Sequence, residues 1–111
     1  MVATHVKGSR WRLAVQRWLQ EAGFTTTIRG LGFPGDDILA RRGVHVFSVE
    51  AKNHTRVDLS VFLDQAELNA AGYVDEVALP VLVLHRRGKS DPDKGYVVMP
   101  GWAFVELVTR P

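Results

Sequence analysis

Residues 36–53 read DDILARRGVHVFSVEAKN, and the fold turns on how this stretch divides. DDILAR (36–41) and VHVFSVEAK (44–52) are short runs of branched apolar residues, with Arg42-Gly43 between them as a turn. So short a connection predicts an antiparallel hairpin. Strand side chains alternate, so Glu50 and Lys52 point to one face. A symmetric hairpin about 42–43 sets residue 37 opposite about residue 48. Asp37 and Glu50 are then diagonal neighbours, ~7–8 Å apart at Cα. Two carboxylates at that range repel, and the packing of a small sheet gives no reason to desolvate them.

Outward from the hairpin, SRWRLAVQRWLQEA (9–22) places Trp11, Ala14, Val15, Trp18, Leu19 and Ala22 at helical spacing. Ser9 is the expected N-cap and Gly23 the C′ residue. FTTTIRG (24–30) reads as a strand and LGFPG (31–35) as a loop. A second helix is expected over 59–71, with Phe62, Ala66 and Asn69 or Ala70 recurring on one side. LPVLVLHR (79–86) is an almost wholly apolar strand, hence central and covered on both faces. YVVM (96–99) follows as a further strand after a polar turn. GWAFVELVT (101–109) reads equally as a short helix or a last strand. The order αβββαβ with C-terminal elements predicts one α/β domain over 1–111, a mixed central sheet flanked by helices.

Bulk composition narrows the function classes. No cysteine is present, so thiolate nucleophiles, disulfides and Cys-based zinc sites are excluded. His5, His45, His54 and His85 are too scattered for a local zinc motif, and Gly30, Gly32 and Gly35 lead into no Gly-Lys-Ser/Thr. No apolar run approaches the ~18–20 residues of a membrane span, and the chain is read as soluble and cytoplasmic. Net charge is only +2, but it is unevenly spread. Lys7, Arg10, Arg12, Arg17 and Arg29 face a single acid, Glu21, in residues 1–30. Asp58, Asp64, Glu67, Asp75 and Glu76 occupy 57–80 with no basic residue.

A divalent cation between Asp37 and Glu50 would relieve their repulsion. Hard Mg²⁺ takes oxygen ligands, with the Ala51 carbonyl as a third. Such an ion polarises a phosphoryl oxygen and acidifies a bound water. Lys52, on the Glu50 face, would orient that water or stabilise charge at phosphorus. These parts suit phosphodiester hydrolysis.

GDDILA (35–40) followed by VHVFSVEAKN (44–53) resembles the PD-(D/E)xK nuclease signature, a strand-borne Asp and then Glu-x-Lys on the next strand. Within that superfamily the chain is most similar to archaeal and phage Holliday junction resolvases. KGSRWRLAVQRWLQEAGF (7–24) resembles their opening, and Asp64-Gln65-Ala66-Glu67 their glutamine on the following helix. The resemblance implies a restriction-endonuclease-like core and a Mg²⁺-dependent, structure-specific DNA endonuclease, with Mn²⁺ substituting. It implies Asp37 and Glu50 as metal ligands, Lys52 as the catalytic lysine and Gln65 as a support of the site. Asp36 can also fill the acidic position; Asp37 is preferred because it directly precedes Ile38. Asn53 matches the small polar residue after Glu-x-Lys, beside the DNA. The family's acid on the first helix is missing: Arg12 and its neighbours Trp11 and Leu13 occupy that place. Asp36 supplies the extra carboxylate, or one metal serves where relatives bind two, or activity is lost and a DNA-binding module remains. A nuclease for other branched or duplex DNA is the further alternative.

Lys7, Arg10, Arg29 and Arg56 flank the proposed site in sequence and are the expected phosphate contacts. A four-way junction is two-fold symmetric, so a homodimer would suit it.

Overall fold

A computed structural model of the chain describes residues 2–28, 38–73 and 76–110, with side chains from Gly8 onward in the first of these segments. The elements are α1 (Val2–Glu21), β1 (Thr25–Ile28), β2 (Ile38–Arg42), β3 (His45–Lys52), α2 (Leu59–Ala71), β4 (Leu79–Leu84), β5 (Tyr96–Val98) and α3 (Gly101–Thr109), with a 3₁₀ turn at Pro92–Lys94.

α1 runs further back than the cap residues predict, so Ser9 lies inside the helix and is not its N-cap. No proline interrupts residues 2–8, and the one glycine costs only about 1 kcal/mol, so nothing stops the helix at Ser9. Its other end falls where expected. Gly23 takes φ +95°, its N–H donates to the Gln20 carbonyl at 3.0 Å, and the Phe24 N–H donates to the Leu19 carbonyl at 3.0 Å. These two bonds are the Schellman pattern that only a residue tolerant of positive φ closes without strain.

The hairpin turns one residue later than the sequence reading sets it. Gly43-Val44 forms the turn, with Gly43 at φ +61°. Two-residue hairpin loops favour glycine at a first central position of positive φ, and that moves the register. Ser48 is opposite Leu39, not residue 37, and Ile38 pairs with Val49.

The sheet has the order β1-β2-β3-β4-β5. β3 and β4 are parallel, and every other neighbouring pair is antiparallel. α2 is the crossover between the two parallel strands, as that pairing requires. The architecture is a mixed α/β fold with its central sheet flanked by helices. All six residues of β4 are buried, which explains its unbroken apolar run: Val81 and Val83 pack with Trp11 and Val15 of α1, while Leu82 and Leu84 pack with Ala66 of α2. Arg41 on β2 grips Glu76 through two guanidinium hydrogen bonds, which raise the Arg41 pKa above its ordinary value.

α2 begins where predicted. Asp58 caps it, its carboxylate accepting from the Val61 N–H at 3.2 Å. Residues 101–109 resolve as a helix. Pro100 precedes it and has no N–H with which to extend the β4–β5 ladder. Ala103 is buried, while Phe104, Val105 and Val108 remain exposed, so apolar residues on both sides blur the period in sequence.

Among the described glycines, Gly95 has the closest neighbour. A Cβ placed there would lie 2.7 Å from the Leu84 carbonyl oxygen and 3.4 Å from the Trp11 ring. Gly95→Ala is expected to push the entry of β5 off β4 and cost about 1–3 kcal/mol, read as a lower urea midpoint with an unchanged m-value.

Candidate active site

β3 is flanked on both edges, and its alternation divides its side chains between two environments. Val49 and Ala51 face α1. Glu50 and Lys52 share a face, as their alternation predicts, and that face is turned to α2, where Asn69 and Phe62 meet them. Glu50 is 1% exposed, an unusual setting for a carboxylate, since desolvating the charge costs several kcal/mol unless partners replace water. Asn69 is one partner: its side-chain amide donates to Glu50 Oε1. Lys52 is another, with Nζ 3.9 Å from Glu50 Oε2.

Lys52 is held from the far side as well. Its Nζ lies 5.4 Å from the centroid of the Phe62 ring, within cation–π range. That ring in turn packs against the His54 imidazole at 5.0 Å. The lysine side chain is 19% exposed against 2% for its carboxylate partner. The ammonium therefore stands at the mouth of the site and the carboxylate behind it. His54, Arg56, Ser60 and Phe62 line a depression in the surface beside that mouth.

The backbone adds a donor. The His85 N–H donates to the Lys52 carbonyl at 3.0 Å, toward β4. Successive carbonyls alternate along a strand, so the Ala51 carbonyl points to the opposite edge, toward β2. The described part of β2 begins there at Ile38, the partner of Val49. Asp37 is bonded to Ile38, but Asp36, Asp37 and Arg29 lie outside the described residues. Among the described residues no three acidic or histidine side chains converge as a metal site. Glu50 and the Ala51 carbonyl, neighbours on one strand, are the oxygen donors in hand.

The remaining sequence candidates are more dispersed. Gln65 is half-buried on α2; the residue that reaches Glu50 is Asn69, one turn further on. Asn53 follows β3 directly and is half-buried, and Arg56 is exposed on the loop to α2. Arg10 is exposed on α1, the helix that covers the opposite face of the sheet from Glu50. Lys7 belongs to α1, its side chain lying outside the described set. Asn69 was legible only as a member of the stripe Phe62, Ala66, Asn69, Ala70. A polar residue inside an apolar stripe was the available signal. No helix among the described residues is long and apolar enough to cross a membrane.

Comparison of the chain with protein-family models, with curated proteins and with solved structures gives no match.

Proposed function

We propose that this chain is a metal-dependent nuclease of the PD-(D/E)xK type that hydrolyses phosphodiester bonds in branched DNA, the Holliday junction being the substrate that its sequence resemblance favours. One observation carries the reading: a carboxylate with almost no solvent contact, Glu50, is set beside Lys52 at the carboxyl end of a central strand. A structural ion pair gains little from such burial. A site that binds a cation and a phosphate gains from it, because charges act more strongly where water is excluded. The parallel β3–β4 pair joined through α2 in a mixed sheet is compatible with the restriction-endonuclease-like core that the sequence resemblance implies, and supports the same reading.

In this reading Asp37, with Asp36 as its alternative, joins Glu50 and the Ala51 carbonyl in an all-oxygen donor set of the kind Mg²⁺ takes. When bound, the ion supplies charge at the phosphoryl oxygen and a more acidic water. The protein's own contribution is positional. Asn69 fixes the Glu50 carboxylate by holding Oε1, and Phe62 supports the Lys52 ammonium at the opening. From there Lys52 donates hydrogen bonds to the phosphate oxygens or to the attacking water and offsets the charge that develops at phosphorus. The second reading, a nuclease-fold module that binds DNA without cutting it, draws on Arg12 standing where relatives carry an acid.

The test is cleavage of a labelled four-way junction and of matched linear duplex in Mg²⁺, with Lys52→Ala as control. Paired nicks in the junction that fall by about 10²–10³ in the variant, with binding retained, are the expected result. Binding without cleavage in Mg²⁺ or Mn²⁺ would favour the second reading. Neither binding nor cleavage would dismiss both.

A further inference from the structure

We propose that Arg86 and Tyr96, with Arg87 and Lys89 behind them, form a surface that holds an unpaired DNA strand as it leaves the Glu50–Lys52 site; the inference rests on the nuclease reading and deepens it to a substrate with unpaired bases beside the cut. Lys52 pairs with Leu84 and Leu84 pairs with Tyr96, so the three form one row across the sheet, on one face. Leu84 in the middle of the row is buried beneath α2, so a DNA strand would pass along the strand ends beside it. At a strand spacing near 4.8 Å Lys52 and Tyr96 are about 10 Å apart, two to three nucleotide steps at about 3.4 Å each. Arg86 lies two residues beyond Leu84 and returns to the same face, its guanidinium carbon 5.5 Å from the Tyr96 ring centroid. His85, between them, turns the other way and packs edge-on against Trp11 at 4.9 Å.

The turn that carries the cations is an ordered one. The Lys89 N–H donates to the Arg86 carbonyl at 2.9 Å, Arg86 and Lys89 form a β-bridge, and Gly88 at φ +78° closes the turn. Arg86, Arg87 and Lys89 are all exposed, and among the described residues none of them forms an ion pair. The acids that follow are engaged elsewhere: Asp91 accepts from the Asp93 N–H at 3.0 Å, and Asp93 accepts from the Trp18 indole at 2.5 Å. Three unneutralised cations on an ordered turn are a phosphate-binding arrangement.

Tyr96 decides which kind of strand fits. It lies on the edge strand and is 51% exposed, leaving ring surface on the row that starts at Lys52. An aromatic ring stacks on a base only if that base has left its own stack, so a paired duplex cannot use it. The guanidinium of Arg86 lies against the ring and keeps its in-plane donors for phosphate. Aromatic and cation together select a strand that is unpaired near the cut, as at a fork or at a junction opened at its branch point.

The experiment is fluorescence anisotropy of labelled oligodeoxythymidine and of a matched hairpin duplex, with the full chain in EDTA so that binding is read without cleavage. The native chain is expected to favour the single strand. Tyr96→Ala is expected to weaken it about tenfold, toward the affinity for duplex, while Tyr96→Phe retains it. Arg87→Gln and Lys89→Gln are each expected to reduce the slope of log K against log[salt] by about 0.7; both are exposed, so they test the surface even if Tyr96→Ala fails to fold. Equal single-strand affinity for Tyr96→Ala and the native chain, no binding of the oligonucleotide, or salt slopes untouched by the turn variants would each overturn the proposal. Junction cleavage with a silent Tyr96 would leave the nuclease reading standing and remove this surface. Tyr96-dependent binding with no cleavage would do the reverse.

Discussion

Glu50→Gln is expected to abolish cleavage and, in the same protein, to raise the melting temperature. The reason lies in what the two side chains share and what they do not. Glutamine has nearly the volume of glutamate, so Leu82, the β4 partner of residue 50, keeps its packing. Its amide oxygen still accepts from Asn69. What disappears is a negative charge on a residue 1% exposed, with the Lys52 ammonium 3.9 Å away. Replacing a buried ion pair by neutral groups of similar shape is often neutral or stabilising by about 1–4 kcal/mol. Lys52 keeps a route to water, so it is not stranded by the change. We expect a gain at the lower end of that range, roughly 1 kcal/mol, and a melting temperature up by about 4 °C. Under the proposed nuclease reading, activity should fall by about 10³ or more, since Glu50 would be both a metal ligand and the partner of Lys52. A stability gain with activity lost is the signature of a charge kept for chemistry. If Glu50→Gln destabilises the chain instead, Glu50 is structural and the candidate site loses its main support. Calorimetry and the junction assay read the two halves separately.

Trp11→Ala is expected to cost about 3–5 kcal/mol, the largest single loss of stability outside the site. Trp11 is 3% exposed and does three things at once. Its indole N–H donates to the Val83 carbonyl at 3.0 Å, its ring meets His85 edge-on at 4.9 Å, and it anchors the α1 side of the core. Removing it leaves a cavity against the central strand. A chain of 111 residues has about 5–15 kcal/mol to lose in total, so the variant is expected to be partly unfolded at 37 °C. Trp11→Phe, which keeps the bulk and drops the donor, should lose about 1–2 kcal/mol. Chemical denaturation separates the two. Equal losses would place the effect in the N–H and the five-membered ring that phenylalanine lacks.

What could be read from the residues was local. Helix α2 is predicted over 59–71 and runs Leu59–Ala71, because its apolar side repeats within the segment, and Asp58 just ahead of it supplies the cap. Gly23 was legible as a helix end for the same reason. The burial of β4 followed from an apolar run too long for a strand with one wet face. The shared face of Glu50 and Lys52 followed from a period of two, which no tertiary contact can change. Where two local answers were nearly equal, the sequence reading erred or stayed open. Arg42-Gly43 and Gly43-Val44 are both acceptable turns, and only the observed ladder decides between them.

The partners of those residues belong to the tertiary structure. That Asn69 holds Glu50 depends on α2 crossing over β3 at one angle and one height, set by Phe62, Leu63 and Ala66 packing on Leu82 and Leu84. Gln65, four residues earlier on the same helix, is the residue that the family resemblance points to, and the sequence offers Asn69 only as a member of the apolar stripe. That Arg86 and Tyr96 stand in line with Lys52 depends on the registers of two separate ladders. Periodicity, capping and turn chemistry act between residues a few positions apart, so the sequence by itself determined the elements and the face each residue takes. Distances across the sheet are set by how strands and helices dock, which is a property of the whole core, and that is why the company Glu50 keeps was decided only in the fold.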